Sequence, residues 1–237
     1  MFKLMRIFNI SVYLHWSLLL LVVVLFFNMY STVAFETDSN MFVGGITTLI
    51  LCGMFIFSVL WHELAHSLVG KRFGLRMDRI TLFVFGGAAS IRGEIRKPSH
   101  EFWISVAGPL SSFVLGIVFL VLMLVFYRIN ILLSYSFSIL GSVNVVLGIF
   151  NLLPFFPMDG GRILRAAIWK ATRNYCKATR FAGKTGMAFA CVLMLCGAAM
   201  AVGFDVPLFG TGIFNGLWTA AIGWVVYGMA KREVEYA

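Results

Sequence analysis

The chain has 237 residues, of which 60% are hydrophobic and only 12% charged, with a mean hydropathy of +0.92. Soluble domains carry about a quarter charged residues, so most of this surface does not face water. The formal net charge of +9 sits in short segments between apolar runs, as in loops beside anionic headgroups, and no basic helix or aromatic platform supports nucleic-acid binding.

A bilayer crossing takes about 20 apolar residues. On that measure six spans follow in chain order, at about Val12–Tyr30, Met41–Gly70, Glu101–Tyr127, Ile131–Trp169, Phe181–Gly203 and Gly212–Ala230. Pro154 and Pro157 interrupt the fourth. The first apolar run lacks a small-x-small cleavage site and is expected to remain as a span. Of Cys52, Cys176, Cys191 and Cys196, three lie within apolar runs, and none forms a CxxC pair or zinc-finger spacing. They read as small buried hydrophobes.

Charges between the spans set an orientation. Lys3 and Arg6 precede the first span, and Glu36 and Asp38 follow it. Lys71, Arg72, Arg76, Arg79, Arg92, Arg96 and Lys97 lie between the second and third, and Lys170, Arg173, Lys177, Arg180 and Lys184 between the fourth and fifth. Asp205 separates the fifth from the sixth, and Lys231 and Arg232 follow the last. Basic segments therefore alternate, Arg128 being the exception, and the positive-inside rule predicts that both termini are cytoplasmic. Between the second and third spans, Leu75–Ile95 is too short and too rich in β-branched and aromatic residues for another crossing. It reads as one or two strands with a Gly turn, folded against the helices. The expected fold is an all-α polytopic membrane protein with this short β segment, and residues 1–237 form one membrane domain without a separate soluble module.

The second span contains His62-Glu63-Leu64-Ala65-His66. Positions i and i+4 share a helix face, so both imidazoles can reach one zinc ion while Glu63 acts on water beside it. Three ionisable residues within five positions of a membrane helix are costly and call for a function; the competing reading is a polar face packed on other polar groups. Catalytic zinc commonly has three protein ligands and an open position. Asp159, in Asn151-Leu-Leu-Pro154-Phe-Phe-Pro157-Met-Asp159-Gly160-Gly161, is the intramembrane carboxylate that stands out. The prolines prevent regular helix there. Asp159 could alternatively cap the helix restarting near Gly160. His62 lies eight residues before Gly70 and Asp159 eleven before Lys170. At 1.5 Å per residue both reach depths of roughly 12–16 Å from the cytoplasmic side.

With these two motifs the chain resembles the site-2 protease family of intramembrane metalloproteases over nearly its whole length. Phe85-Gly86-Gly87-Ala88 and Ala107-Gly108-Pro109 also look like family features. The resemblance implies a catalytic core at about residues 41–170, with His62, His66 and Asp159 as ligands of one zinc ion and Glu63 as general base. It implies that Asn151 binds substrate or stabilises the oxyanion, and that Gly86 and Gly87 pair with an unwound substrate strand. The substrate would be a transmembrane or membrane-tethered protein, cleaved in or beside its span on the cytoplasmic side. No nucleotide-sensing CBS pair or PDZ insertion is expected. Spans one and six are gate candidates by analogy alone.

Weaker readings attach to other residues. His15, beside Trp16, is expected at the interface, and His100 at a helix start. Asn144 is expected to hydrogen-bond between helices. Arg162 and Arg165 are expected to pair or snorkel. Two other functions stay open: a metal or ion transporter using the same ligands as a transit site, and a non-proteolytic membrane-binding relative.

Overall fold

The computed structural model describes residues 1–37, 39–84, 86–93, 95–207 and 210–235. Asp38 and Phe85, both singled out in the sequence, lie outside the described residues. The chain forms two compact units, one of Met1–Arg96 with Ala107–Phe150, the other of Lys97–Val106 with Asn151–Ala237.

The first unit opens with a hairpin, β1 (Phe2–Ile7) and β2 (Ile10–Leu14). Phe8 and Asn9 between them have φ of 47° and 61°, and two positive-φ residues make the tight turn whose twist suits paired strands. Helix α1 (Leu18–Glu36) follows, then α2 (Met41–Arg72), whose first turn is capped by the Asn40 side chain accepting from the Val43 N–H at 2.9 Å. Next come β3 (Arg76–Phe83) and β4 (Gly86–Arg92). The four strands form one sheet in chain order, in which β2 and β3 run parallel and the other pairs antiparallel. Ile10, Val12, Met77, Ile80 and Leu82 on one face pack with Leu18 of α1 and Leu60 and Leu64 of α2. The one or two strands expected in Leu75–Ile95 are β3 and β4, and the sheet is completed by an N-terminal hairpin that was not expected. Val12 begins no span: it is a strand residue, and α1 starts at Leu18. Alternation over Ile10-Ser11-Val12-Tyr13 carried that signal, but a hydropathy window merges it with the leucines that follow.

Helix α3 (Pro98–Phe126) passes from the second unit into the first. In the first unit it packs on α4 (Ile131–Asn151). Cβ atoms built at Gly141 and Gly148 would strike Leu120 and Phe113, the close approach that small residues permit between membrane helices. Buried Asn144 donates to Ser58 Oγ of α2 at 2.9 Å, as expected of an interhelical polar residue. His15 stands at the end of β2, its Nδ1 2.8 Å from Ser17 Oγ and its backbone N–H bonded to Leu82 O.

The second unit contains α5 (Asp159–Thr172), α6 (Tyr175–Ala201) and α7 (Ile213–Glu235). The expected fourth span therefore divides, α4 ending at Asn151 and α5 starting at Asp159. Among the described residues, six helices, α1 to α4, α6 and α7, are long and apolar enough to cross a membrane. Gly197 and Gly216 bring α6 and α7 into contact, since a Cβ on either would meet the other helix's backbone. Of the four cysteines expected to be buried, Cys52 is buried, Cys196 is half-buried, and Cys176 and Cys191 are exposed; Cys191 lies on an apolar helix, where exposure means a lipid-facing position.

Candidate metal centre

Helix α2 positions three of the candidate residues in the first unit. His62 is 4% exposed, and the helical repeat stacks His66 one turn further on the same face. The two Nε2 atoms lie 3.1 Å apart, with the ring planes at 77°. Both nitrogens therefore point to one locus, the arrangement needed for two imidazoles to serve one ion.

Residues of α3 complete the surroundings of the pair. His62 Nδ1 lies 2.9 Å from Ser112 Oγ. A partner on the far ring nitrogen sets the ring orientation and directs Nε2 to the metal. One turn before Ser112, Gly108 faces the imidazoles, and a Cβ there would collide with Nε2 of both His66 and His62. The missing side chain keeps a small volume open beside the two donor nitrogens, so the residues fit a bound ion. Ser112 is expected to matter accordingly. Ser112→Ala should weaken zinc binding roughly 10–100-fold, read by chelator competition. Unchanged affinity would remove Ser112 from the account of His62.

Glu63 precedes the remainder of the motif on α2 and approaches the sheet. Strand β4 lies against it, since a Cβ on Gly87 would run into the Glu63 side chain, carboxylate included. Gly86 has φ +126°, a conformation that residues with a Cβ rarely adopt. Glycine at 87 lets backbone take the place of side chain beside the carboxylate. Beyond β4 no further strand is present among the described residues, so β4 is the last strand of the sheet on that side.

In the second unit, Asn151 is the last residue of α4 and Asp159 the first of α5. Asp159 is 8% exposed. Met158 occupies the N-cap position and makes no side-chain cap bond, so Asp159 stands inside the first turn rather than at the cap. A carboxylate there gains from the helix dipole. The segment between them is tightly wound on α5: Cβ atoms at Gly160 and Gly161 would strike backbone of Leu152, Leu153, Phe155 and Phe156. Helix α6 braces it through Phe189, stacked on Phe155 at 3.8 Å, and Thr185, whose Oγ1 donates to Pro154 O at 3.2 Å.

Sequence reasoning missed Ser112 and the role of Gly108. Their spacing of four on one helix, both small, was the available signal, but nothing in one dimension says which helix they face.

The family model described as peptidase family M50 matches residues 50–132 and 127–195. The chain is 34% identical over 238 residues to the putative zinc metalloprotease Rip3 of Mycobacterium tuberculosis, covering 96% of this chain and 57% of that protein. It is 37% identical over 198 residues to the zinc metalloprotease MJ0392 of Methanocaldococcus jannaschii, covering 82% and 53%. The chain thus spans about half the length of these relatives. Among solved structures it is similar to the site-2 protease from Methanocaldococcus jannaschii, with a TM-score of 0.63, 31% identity, and coverage of 98% of this chain and 94% of that one.

Proposed function

This chain belongs to peptidase family M50, the site-2 proteases, and from that premise we propose that it is an intramembrane zinc metalloprotease acting on membrane-protein substrates. The observation that carries the reading is the pair of His62 and His66 Nε2 atoms 3.1 Å apart on an apolar helix. To these two imidazoles we assign the Asp159 carboxylate as the third ligand, the reading its motif supports. Two imidazoles and one carboxylate are a donor set found at catalytic zinc, which keeps an open position. When bound, zinc supplies a Lewis acid that acidifies water and polarises a carbonyl.

The chain's own residues supply the rest. His62 and His66 offer Nε2, with Ser112 orienting the first. Glu63 takes a proton from the attacking water and delivers it to the leaving nitrogen. The outer edge of β4, beside Glu63 at Gly87, suits an unwound substrate segment that adds as a strand. Strand addition satisfies substrate backbone groups that helix unwinding would otherwise leave unpaired in an apolar setting. Asn151 is assigned to the substrate or its oxyanion. Cytoplasmic termini and a cytoplasmic-side site follow from the loop charges.

Metal removal tests this against transport. The full chain is reconstituted in vesicles with a reporter polypeptide carrying one transmembrane span. Cleavage in or beside that span is expected, lost on adding a zinc chelator and restored by added zinc. Zinc-replete protein that leaves the reporter intact but carries zinc across the vesicle would overturn the protease reading.

A further inference from the structure

In the second unit a buried cation on α5 joins α3, α6, α7 and the segment before α5. Arg165 is 8% exposed, and its partner Glu101, in the first turn of α3, is 1% exposed. Arg165 Nε donates to Glu101 Oε1 at 2.7 Å, and Nη2 reaches the same oxygen at 2.5 Å. Nη1 donates to Glu233 Oε2 on α7 at 3.2 Å. The guanidinium carbon also lies 4.9 Å from the ring centroid of Phe156 and 5.0 Å from that of Tyr175, the first residue of α6.

Phe156 links this cluster to the metal ligand. It is 2% exposed and three residues before Asp159, within the segment wound on the first turn of α5. Helical side chains lean toward the N-terminus. Arg165 thus reaches back along α5 to Phe156, over the turn that carries Asp159.

Removing one partner of a buried pair leaves an uncompensated charge, so a cluster of this kind is energetically exposed. Well-packed apolar residues stabilise as well or better, so stability alone does not account for a buried Arg here. A planar fork with donors on several edges can hold a carboxylate, a second carboxylate and aromatic faces in fixed relative positions; an ammonium cannot.

Resting on the zinc reading above, we propose that Arg165 is a positioning residue: held by Glu101, it fixes the pose of the Phe156–Asp159 segment and so the aim of the Asp159 carboxylate. Glu101 is the controlling partner, being buried and held by two guanidinium nitrogens. The Glu233 side chain is 45% exposed and makes one longer contact, so it contributes less.

The test measures zinc affinity by chelator competition on the detergent-purified full chain, together with the absorption spectrum of the cobalt-substituted protein. Fold is followed by thermal unfolding. The pair Glu101→Leu with Arg165→Met removes both charges while keeping apolar bulk. It should fold, bind zinc roughly 10–100-fold more weakly, as disturbed ligand support does, and show an altered cobalt spectrum. Arg165→Lys should not rescue affinity, and Glu233→Gln should lose less than Glu101→Gln. Should the charge-free pair fail to fold, Arg165→Lys is read by the same criterion. Folded variants with wild-type affinity and spectrum would overturn the role of Arg165, while zinc in the wild type would leave the metal reading standing. A wild type that binds no zinc overturns both.

Discussion

Replacing Glu63 by Gln is expected to abolish cleavage while leaving zinc bound. A positioned acid–base group contributes about 10²–10⁴-fold to such a reaction. Gln has the size and shape of Glu but cannot take a proton from water. The substitution is also mild for the surroundings, since the close approach of Gly87 to the Glu63 side chain tolerates an isostere and not a larger group. His62 and His66 keep their places, because neither their spacing on α2 nor the Ser112 contact depends on Glu63. Cleavage of the single-span reporter and zinc per chain are measured on the same preparation. Cleavage at the wild-type rate would eliminate Glu63 as the base. Zinc lost together with activity would assign Glu63 to metal retention.

Asp159→Ala is expected to empty the site. Wild type should carry about one zinc per chain, the two imidazoles and the carboxylate being the three ligands proposed above. Without the carboxylate, two histidines remain, and zinc should fall to a small fraction of the chains after dialysis. The helix itself should survive. Asp159 lies within the first turn rather than at the N-cap, and its favourable interaction with the helix dipole amounts to about 0.3–1 kcal/mol. Comparing zinc content with thermal unfolding separates the two roles. Full zinc occupancy in the variant would remove Asp159 from the ligand set, whereas zinc and fold lost together would make its role structural.

Much of this architecture was legible before any coordinates. The span ruler found α2 to within two residues at its C-terminal end, because a membrane helix must be long and apolar along its whole length. His62 and His66 declared their common face through a spacing of four, and the break at Pro154–Pro157 announced the end of α4. The N-terminal hairpin was not legible as part of the β segment. Its strand β2 pairs parallel with β3, Tyr13 opposite Thr81, and parallel pairing across an intervening helix pair leaves no local trace. Arg165 was expected to pair or snorkel; pairing is what the structure has, with Glu101 64 residues away.

The sequence by itself determined most of the elements and their chemistry: six apolar spans, the i,i+4 imidazoles, the intramembrane carboxylate of Asp159 and the two glycines that open β4. These follow from periodicity, hydropathy and backbone sterics, which act between near neighbours in the chain. Only the tertiary structure decided what holds them. Ser112, 50 residues from His62, orients that ring; Gly108 leaves room beside both imidazoles, and Gly87 brings an edge strand to Glu63. Such contacts depend on which helix faces meet and at what register, and close packing settles that only when the whole chain is in place.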